Sequence, residues 1–251
     1  MKTIDIFKVE QRKHTAWLTL NRPEKRNAMG LVFFNGLMEL FAGFDADPRV
    51  RVVVVKAEGN SFSAGTDIRE IGAILTGDSA EDREDLKKNI QVLQNAINAI
   101  EVCRKPVIAA IHGHCLGGGV DLVCACDIRI ADQSAVFSVR ETRMGIIADL
   151  GTLQRLPHIV GSGWARDLAL TGRDFEATEA FKMGFITRLC NDRSELMAAA
   201  DEMAAMIADC PPLTVQGVKE VINYSREHSV AAGQQYVAQK NAAALPSEDL
   251  M

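Results

Sequence analysis

No stretch of the 251 residues approaches the roughly 20 consecutive apolar residues a helix needs to cross a bilayer, so no membrane span is expected. The opening residues also lack a charged region followed by a long apolar run, which argues against a secretory signal. Clustered base is missing too. Lys and Arg number 28 against 33 Asp and Glu, for a formal net charge of −5. Phosphate binding needs clustered Lys and Arg to release counterions, so no nucleic-acid partner is expected. The six cysteines, at 103, 115, 124, 126, 190 and 210, lack the paired C-x₂-C spacing of a zinc site. They fall on or beside apolar segments and read as small core residues in a reducing compartment. His112, His114 and Cys115 lie close together, but in an apolar strand-to-loop passage where packing is the simpler role, so no metal is expected. A cytoplasmic location is consistent with all of these absences.

What is present reads as a folded enzyme. Hydrophobic residues make up 47% and charged residues 24%, usual values for a globular chain. The length fits one α/β domain with a helical appendage. Residues 3–9 and 14–20 read as two strands around a polar turn. Phe34, Leu37, Met38, Phe41 and Phe44 recur at helical spacing until Asp47-Pro48 stops them. Val52 to Val55 is a β-branched run that suits a central strand covered on both faces. The acid-rich stretch from Asp78 to Asp85 reads as a solvated, mobile connection before a helix through Leu93, Ile97 and Ile100. Pro106 to Ile111 is a further buried strand, Ile128–Ala131 and Ala135–Val139 are short strands, and a helix runs from Gly151 to about residue 170. Trp17 and Trp164 read as packing anchors. From Ser194 the pattern is purely helical, divided at Pro211-Pro212. These alternations predict an α/β core over 1–193 and a helical region over 194–251.

Two glycine-bearing loops, Phe62-Ser63-Ala64-Gly65-Thr66-Asp67 and His114-Cys115-Leu116-Gly117-Gly118-Gly119, each follow a buried strand. Glycine permits close approach of a ligand to the backbone, and a helix start leaves amides without intrahelical partners. Such a place favours a developing negative charge. Tight packing of helix against strand would also account for the glycines, and the loops have neither dinucleotide-binding nor P-loop spacing.

Asn21-Arg22-Pro23 with Asn27-Ala28, the Phe62 to Ile68 segment, Lys105-Pro106-Val107-Ile108-Ala109, Gly117-Gly118-Gly119-Val120-Asp121-Leu122, Cys126-Asp127-Ile128-Arg129 and Thr152-Leu153-Gln154-Arg155-Leu156-Pro157 together resemble the enoyl-CoA hydratase/isomerase, or crotonase, family. The motifs stand in order, at family spacing, over nearly the whole chain. The resemblance implies a spiral of ββα repeats and a C-terminal helical region that assembles trimers or dimers of trimers. It implies an acyl-CoA substrate, with coenzyme A as part of that substrate and no separate cofactor. It also places the oxyanion-binding amides at Thr66 and Gly118, and contacts to coenzyme A at Lys25, Ala28, Ala64, Asp67 and Ile68.

Three acids bear on the reaction: Asp121, Glu141 and Asp149. Each has a plainer reading: Asp121 as a carboxylate in a helix's first turn, Glu141 as a partner for Arg140 or Arg143, and Asp149 as a helix-start residue. Hydratases of the family have Glu at the positions of Asp121 and Glu141, and a small residue at that of Asp149. The set here instead resembles the Δ3,5-Δ2,4-dienoyl-CoA isomerases, which use all three. Hydration needs two carboxylates on one water, and shortening Glu to Asp withdraws one by roughly 1.5 Å. A 3,5-to-2,4 shift needs one proton removed at C2 and another delivered at C6. Glu141 and Asp149 are the candidates for these roles, in either order, with Asp121 orienting the dienolate. An enoyl-CoA hydratase or another enoyl-CoA isomerase is the alternative, and a non-catalytic or RNA-binding member of the family is a further one.

Overall fold

The chain opens as a hairpin in which β1 (Phe7–Arg12) and β2 (Thr15–Leu20) pair antiparallel across a two-residue turn. Lys13 takes φ 51 there, the left-handed conformation that such short hairpin turns require. The computed structural model describes residues 6–72, 77 and 79–245. Residues 3–5 of the expected first strand lie outside that range, and β1 runs three residues past the expected end at Val9.

The chain continues through α1 (Leu31–Ala46), β3 (Val52–Ala57), β4 (Ser61–Ser63), α2 (Ile68–Gly72) and α3 (Ala80–Val102). Next come β5 (Val107–Ile111), β6 (His114–Leu116), α4 (Gly118–Ala125), β7 (Ile128–Asp132), β8 (Val136–Ser138) and α5 (Thr152–Thr171). It closes through β9 (Asp174–Glu176), α6 (Ala177–Lys182), β10 (Arg188–Cys190), α7 (Arg193–Ala208), α8 (Pro212–Glu227) and α9 (Val230–Ala244). The units β3-β4-α3, β5-β6-α4 and β7-β8-α5 repeat one pattern. The first strand of each joins a six-stranded sheet ordered β1-β2-β3-β5-β7-β10, and the second joins a four-stranded sheet ordered β4-β6-β8-β9.

Both faces of the large sheet are covered, which explains the unbroken β-branched run in β3. Val53 and Val55 point into the main core with the α1 stripe of Phe34, Leu37 and Phe41. Val52 and Val54 point the other way, onto Leu196, Ala199, Ala200 and Ala204 of α7. The expected boundary at 193/194 therefore falls at the start of the helix that seals this second face. Trp17 is buried on the same side, whereas Trp164, expected as a packing anchor, lies largely exposed on α5.

The acid-rich segment differs from expectation. Asp78 lies outside the described residues, but from Ala80 onward the segment is the first turns of α3. Ser79 caps that helix by accepting from Asp82 N at 3.1 Å, and the Asp82 side chain accepts from Ser79 N at 3.0 Å. Carboxylates in a first turn are favoured by the helix dipole, so acidity here starts a helix whose first turns still face solvent. All six cysteines are free, with Cys210 exposed and the others buried.

Helix α8 is anchored by a buried ammonium: Lys219 Nζ donates to Asp127 Oδ2 at 2.8 Å and to the Lys105 carbonyl at 3.1 Å. Arg226 of α8 pairs with Glu101 of α3, which also accepts from Arg155 of α5. Among the described residues no helix is long and apolar enough to cross a membrane.

Candidate active site

The two glycine loops meet where the repeats pass from one sheet to the other. Gly117 takes φ 51 and ψ −121 as the cap of α4, and Gly65 takes φ 92. A Cβ on Gly65 would stand 2.6 Å from the Leu116 carbonyl, and one on Gly118 would stand 2.6 Å from both Met29 Cε and Thr66 Oγ1. The loops are therefore so close that a side chain at either place would push them apart. Ser63 and Asn27 set this approach: Ser63 Oγ donates to the Asn27 carbonyl and accepts from Gly65 N, while Asn27 Nδ2 reaches the carbonyls of Glu58 and Ser61, both at 2.9 Å.

Thr66 and Gly118 are thereby brought side by side. The would-be Cβ of Gly118 lies 3.2 Å from Thr66 N, and that of Gly65 lies 3.3 Å from Gly118 N. Met29 N donates to the Gly65 carbonyl and Asp67 N to the Met29 carbonyl, so the ladder uses the neighbours of Thr66 N and leaves that amide over. Gly118 N is the first amide of α4 and has no intrahelical acceptor. Among the described residues neither amide meets an acceptor. Two such amides facing one cavity make a site for an oxyanion.

That cavity, of about 350 Å³, is lined by Thr66 and Gly118 together with all three acids, Asp121, Glu141 and Asp149. Asp121 is 1% exposed on the first turn of α4. Its Oδ1 accepts from Thr152 N at 2.7 Å, so this carboxyl caps the start of α5, the place expected for Asp149. Two helix starts favour its ionised form, yet burial outweighs them, and with Asp149 nearby its pKa rises to about 6. Glu141 opens a 3-10 turn (Glu141–Met144) with its carboxyl against Gly117, whose would-be Cβ lies 3.1 Å from Oε1. Neither expected arginine takes it: Arg140 pairs with Asp174, and Arg143 Nε donates to the Thr171 carbonyl at 3.2 Å. Among the described residues Glu141 Oε2 is buried without a hydrogen-bond partner. Burial first, then the charges of Asp121 and Asp149, lift its pKa to about 7. Asp149 is half-buried, and burial raises its pKa as well. Its main chain is fixed by Gln94 of α3, whose Nε2 donates to the Asp149 carbonyl at 2.7 Å.

The residues expected around coenzyme A divide. Ala64 and Ile68 line the cavity, and Ile68 is exposed there. Lys25 and Ala28 lie on the adjoining turn, tied in by Ala64 N donating to the Arg26 carbonyl at 2.8 Å. Asp67 pairs with Arg22 at 3.5 Å and does not line the cavity. His112, from the trio weighed as a metal site, contacts the Gly59 carbonyl at 2.9 Å, and His114 is exposed. Among the described residues no group of three or more His, Cys, Asp or Glu is placed to hold a metal ion.

Sequence reasoning placed part of the pocket wall near residues 71–90 but as a loop, and singled out none of the α3 side chains that line it. Leu86, Asn89, Ile90 and Leu93 of α3 face the cavity together. Their i, i+3, i+4, i+7 spacing was the signal, hidden by the charges among them. Thr152 and Gln94 were missed because they act through a main-chain amide and on a main-chain carbonyl, which no spacing announces.

With amide pair and acids in place, likeness to known proteins bears on the same chemistry. Residues 10–250 match the enoyl-CoA hydratase/isomerase family, and the chain belongs to it. It is 44% identical over 254 residues to the peroxisomal Delta(3,5)-Delta(2,4)-dienoyl-CoA isomerase of Arabidopsis thaliana, covering 99% of this chain and 91% of that one. It is 42% identical to the mitochondrial Delta(3,5)-Delta(2,4)-dienoyl-CoA isomerase of Homo sapiens, covering 96% of this chain and 75% of that one. Among solved structures, the enoyl-CoA hydratase of Bacillus anthracis superposes with a TM-score of 0.89 at 30% identity, covering 97% of this chain and 92% of that one.

Proposed function

We propose that the protein isomerises 3,5-dienoyl-CoA thioesters to their 2,4-dienoyl isomers. The observation that carries this reading is the set of three carboxyl groups that line one cavity together with two amides that meet no acceptor among the described residues. Thr66 N and Gly118 N bind the thioester oxygen. Glu141, lying against Gly117, takes the proton from C2, and the electron pair of that C–H bond spreads over the dienolate, placing charge on the oxygen between the amides. Asp149 gives a proton to C6, and the double bonds settle at C2 and C4. A base that titrates near 7 and a second carboxyl held above its ordinary range suit these roles near neutral pH. Asp121, bonded to Thr152 N, orients this frame instead of gripping a water, which disfavours hydration. The names of the two relatives support the same reaction.

No metal or separate cofactor takes part in this scheme; coenzyme A is the handle of the substrate, held around Lys25, Ala28, Ala64, Asp67 and Ile68. Residues 1–193 form the catalytic core and 194–251 the assembling region. Exposed Leu213, Val218, Ile222 and Val230 on α8 and α9 support assembly into a trimer or a dimer of trimers. The free cysteines support a reducing, cytoplasmic setting, although the names of the two relatives place those proteins in peroxisomes and mitochondria.

The test is an ultraviolet assay with 3,5-octadienoyl-CoA and, separately, 2-trans-octenoyl-CoA. Growth of conjugated dienoyl-thioester absorbance with the first alone supports the isomerase. Loss of enoyl absorbance with the second would make the protein a hydratase and overturn the assignment.

A further inference from the structure

Helix α3 turns one face to the cavity, and that face is leucine, asparagine, isoleucine and leucine at 86, 89, 90 and 93. Asn89 is the exception to an apolar stripe. Its side chain is partly buried, and among the described residues it has no hydrogen-bond partner. Of the other polar side chains on the lining, Asp121 accepts from Thr152 N, Arg140 is paired with Asp174, Glu141 and Asp149 serve proton transfer, and the Thr66 hydroxyl sits at the amide pair, against Gly118. Gln94, on the same helix, is satisfied by the Asp149 carbonyl. Asn89 alone presents a carboxamide, with both donors and an acceptor, and no stated task.

A purely hydrocarbon acyl chain sliding along this wall would strip water from that carboxamide and return nothing, which is unfavourable. Leucine at this position would serve such a chain better and would also favour the helix. We propose that Asn89 is a specificity residue and that the preferred acyl chain carries a neutral oxygen substituent, a hydroxyl or a carbonyl, which the carboxamide binds. A negatively charged chain end is disfavoured, because Arg140 is already paired with Asp174 and three carboxyl groups border the same space. The inference deepens the isomerase reading and, as far as turnover is concerned, rests on it.

The experiment compares 3,5-decadienoyl-CoA with variants bearing one hydroxyl at C7, C8, C9 or C10, using the wild-type protein and Asn89→Leu. The wild type is expected to favour at least one hydroxylated substrate over the parent by about five- to tenfold in kcat/KM, the worth of one neutral hydrogen bond. Asn89→Leu reverses that preference and raises kcat/KM for the parent. Calorimetric binding of decanoyl-CoA and the matching saturated hydroxydecanoyl-CoA thioesters repeats the comparison without chemistry. If no dienoyl substrate of either kind is isomerised, the isomerase reading falls while the binding ratio still decides the pocket. If the wild type neither turns over nor binds any hydroxylated chain better than its parent, or Asn89→Leu shifts all chains alike, the role of Asn89 is overturned.

Discussion

Replacing Glu141 with Gln should stabilise the protein while disabling it, and the gain should depend on pH. The carboxyl ordinarily titrates near 4.5 and is lifted to about 7 in the folded chain. The folded state therefore binds a proton that the unfolded state releases between those values, so wild-type stability falls as pH rises through that window. Glutamine carries no such proton. Linkage over this window gives the variant roughly 2–3 kcal/mol more relative stability at pH 8 than at pH 5. For a chain of this length that difference corresponds to roughly 5–10 °C in melting temperature. The assay is thermal unfolding of both proteins at pH 5 and pH 8 at one protomer concentration. An equal difference at the two pH values, or a variant less stable at pH 8, would refute the argument that burial holds Glu141 above its ordinary range. The same group sets the acid limb of the reaction: a base must be ionised, so wild-type kcat/KM should rise with pH through about 7.

Asp149→Asn should lower isomerisation by about 10²–10⁴-fold yet retain exchange of the C2 hydrogens with deuterated solvent, read by NMR, because Glu141 still forms the dienolate. Glu141→Gln should lose both, and retention of exchange there would exchange the two roles. Gly118→Ala should cost about 10²–10³ in kcat, since a methyl 2.6 Å from Met29 and Thr66 separates the amide pair. Circular dichroism should show the fold kept. Lys219→Met should destabilise by about 3–5 kcal/mol in denaturant titration, because Asp127 is left buried without its ammonium. A change below 1 kcal/mol would show that α8 is held by other contacts.

The parts of the fold that were legible in sequence are those where many residues repeat one signal. The β-branched run of β3 and the phenylalanine stripe of α1 are long enough to carry a period. The last repeat was not legible. In β9 a single buried Phe175 stands between exposed Asp174 and Glu176 and is recognised only through its stacking on Phe137, 5.3 Å away, across strands far apart in sequence. β10 has three residues and, among the described residues, pairs only with β7. The site was legible as residue types, through the glycines and three acids. Its couplings were not: that Asp121 caps α5, or that Gln94 holds Asp149, depends on the approach of segments 31 and 55 residues apart.

The amide pair at Thr66 and Gly118 has a consequence for how this scaffold changes over generations. In the proposed scheme the group that steadies the intermediate is main chain: most codon changes at Thr66 leave its N–H in place, and the crowded position is Gly118, where any side chain meets Met29 and Thr66. The acids at 121, 141 and 149 are side chains, each one or two base changes from another function. Ancestry can thus hold the enolate site constant and vary only where protons enter and leave, which makes one architecture a reservoir of related reactions.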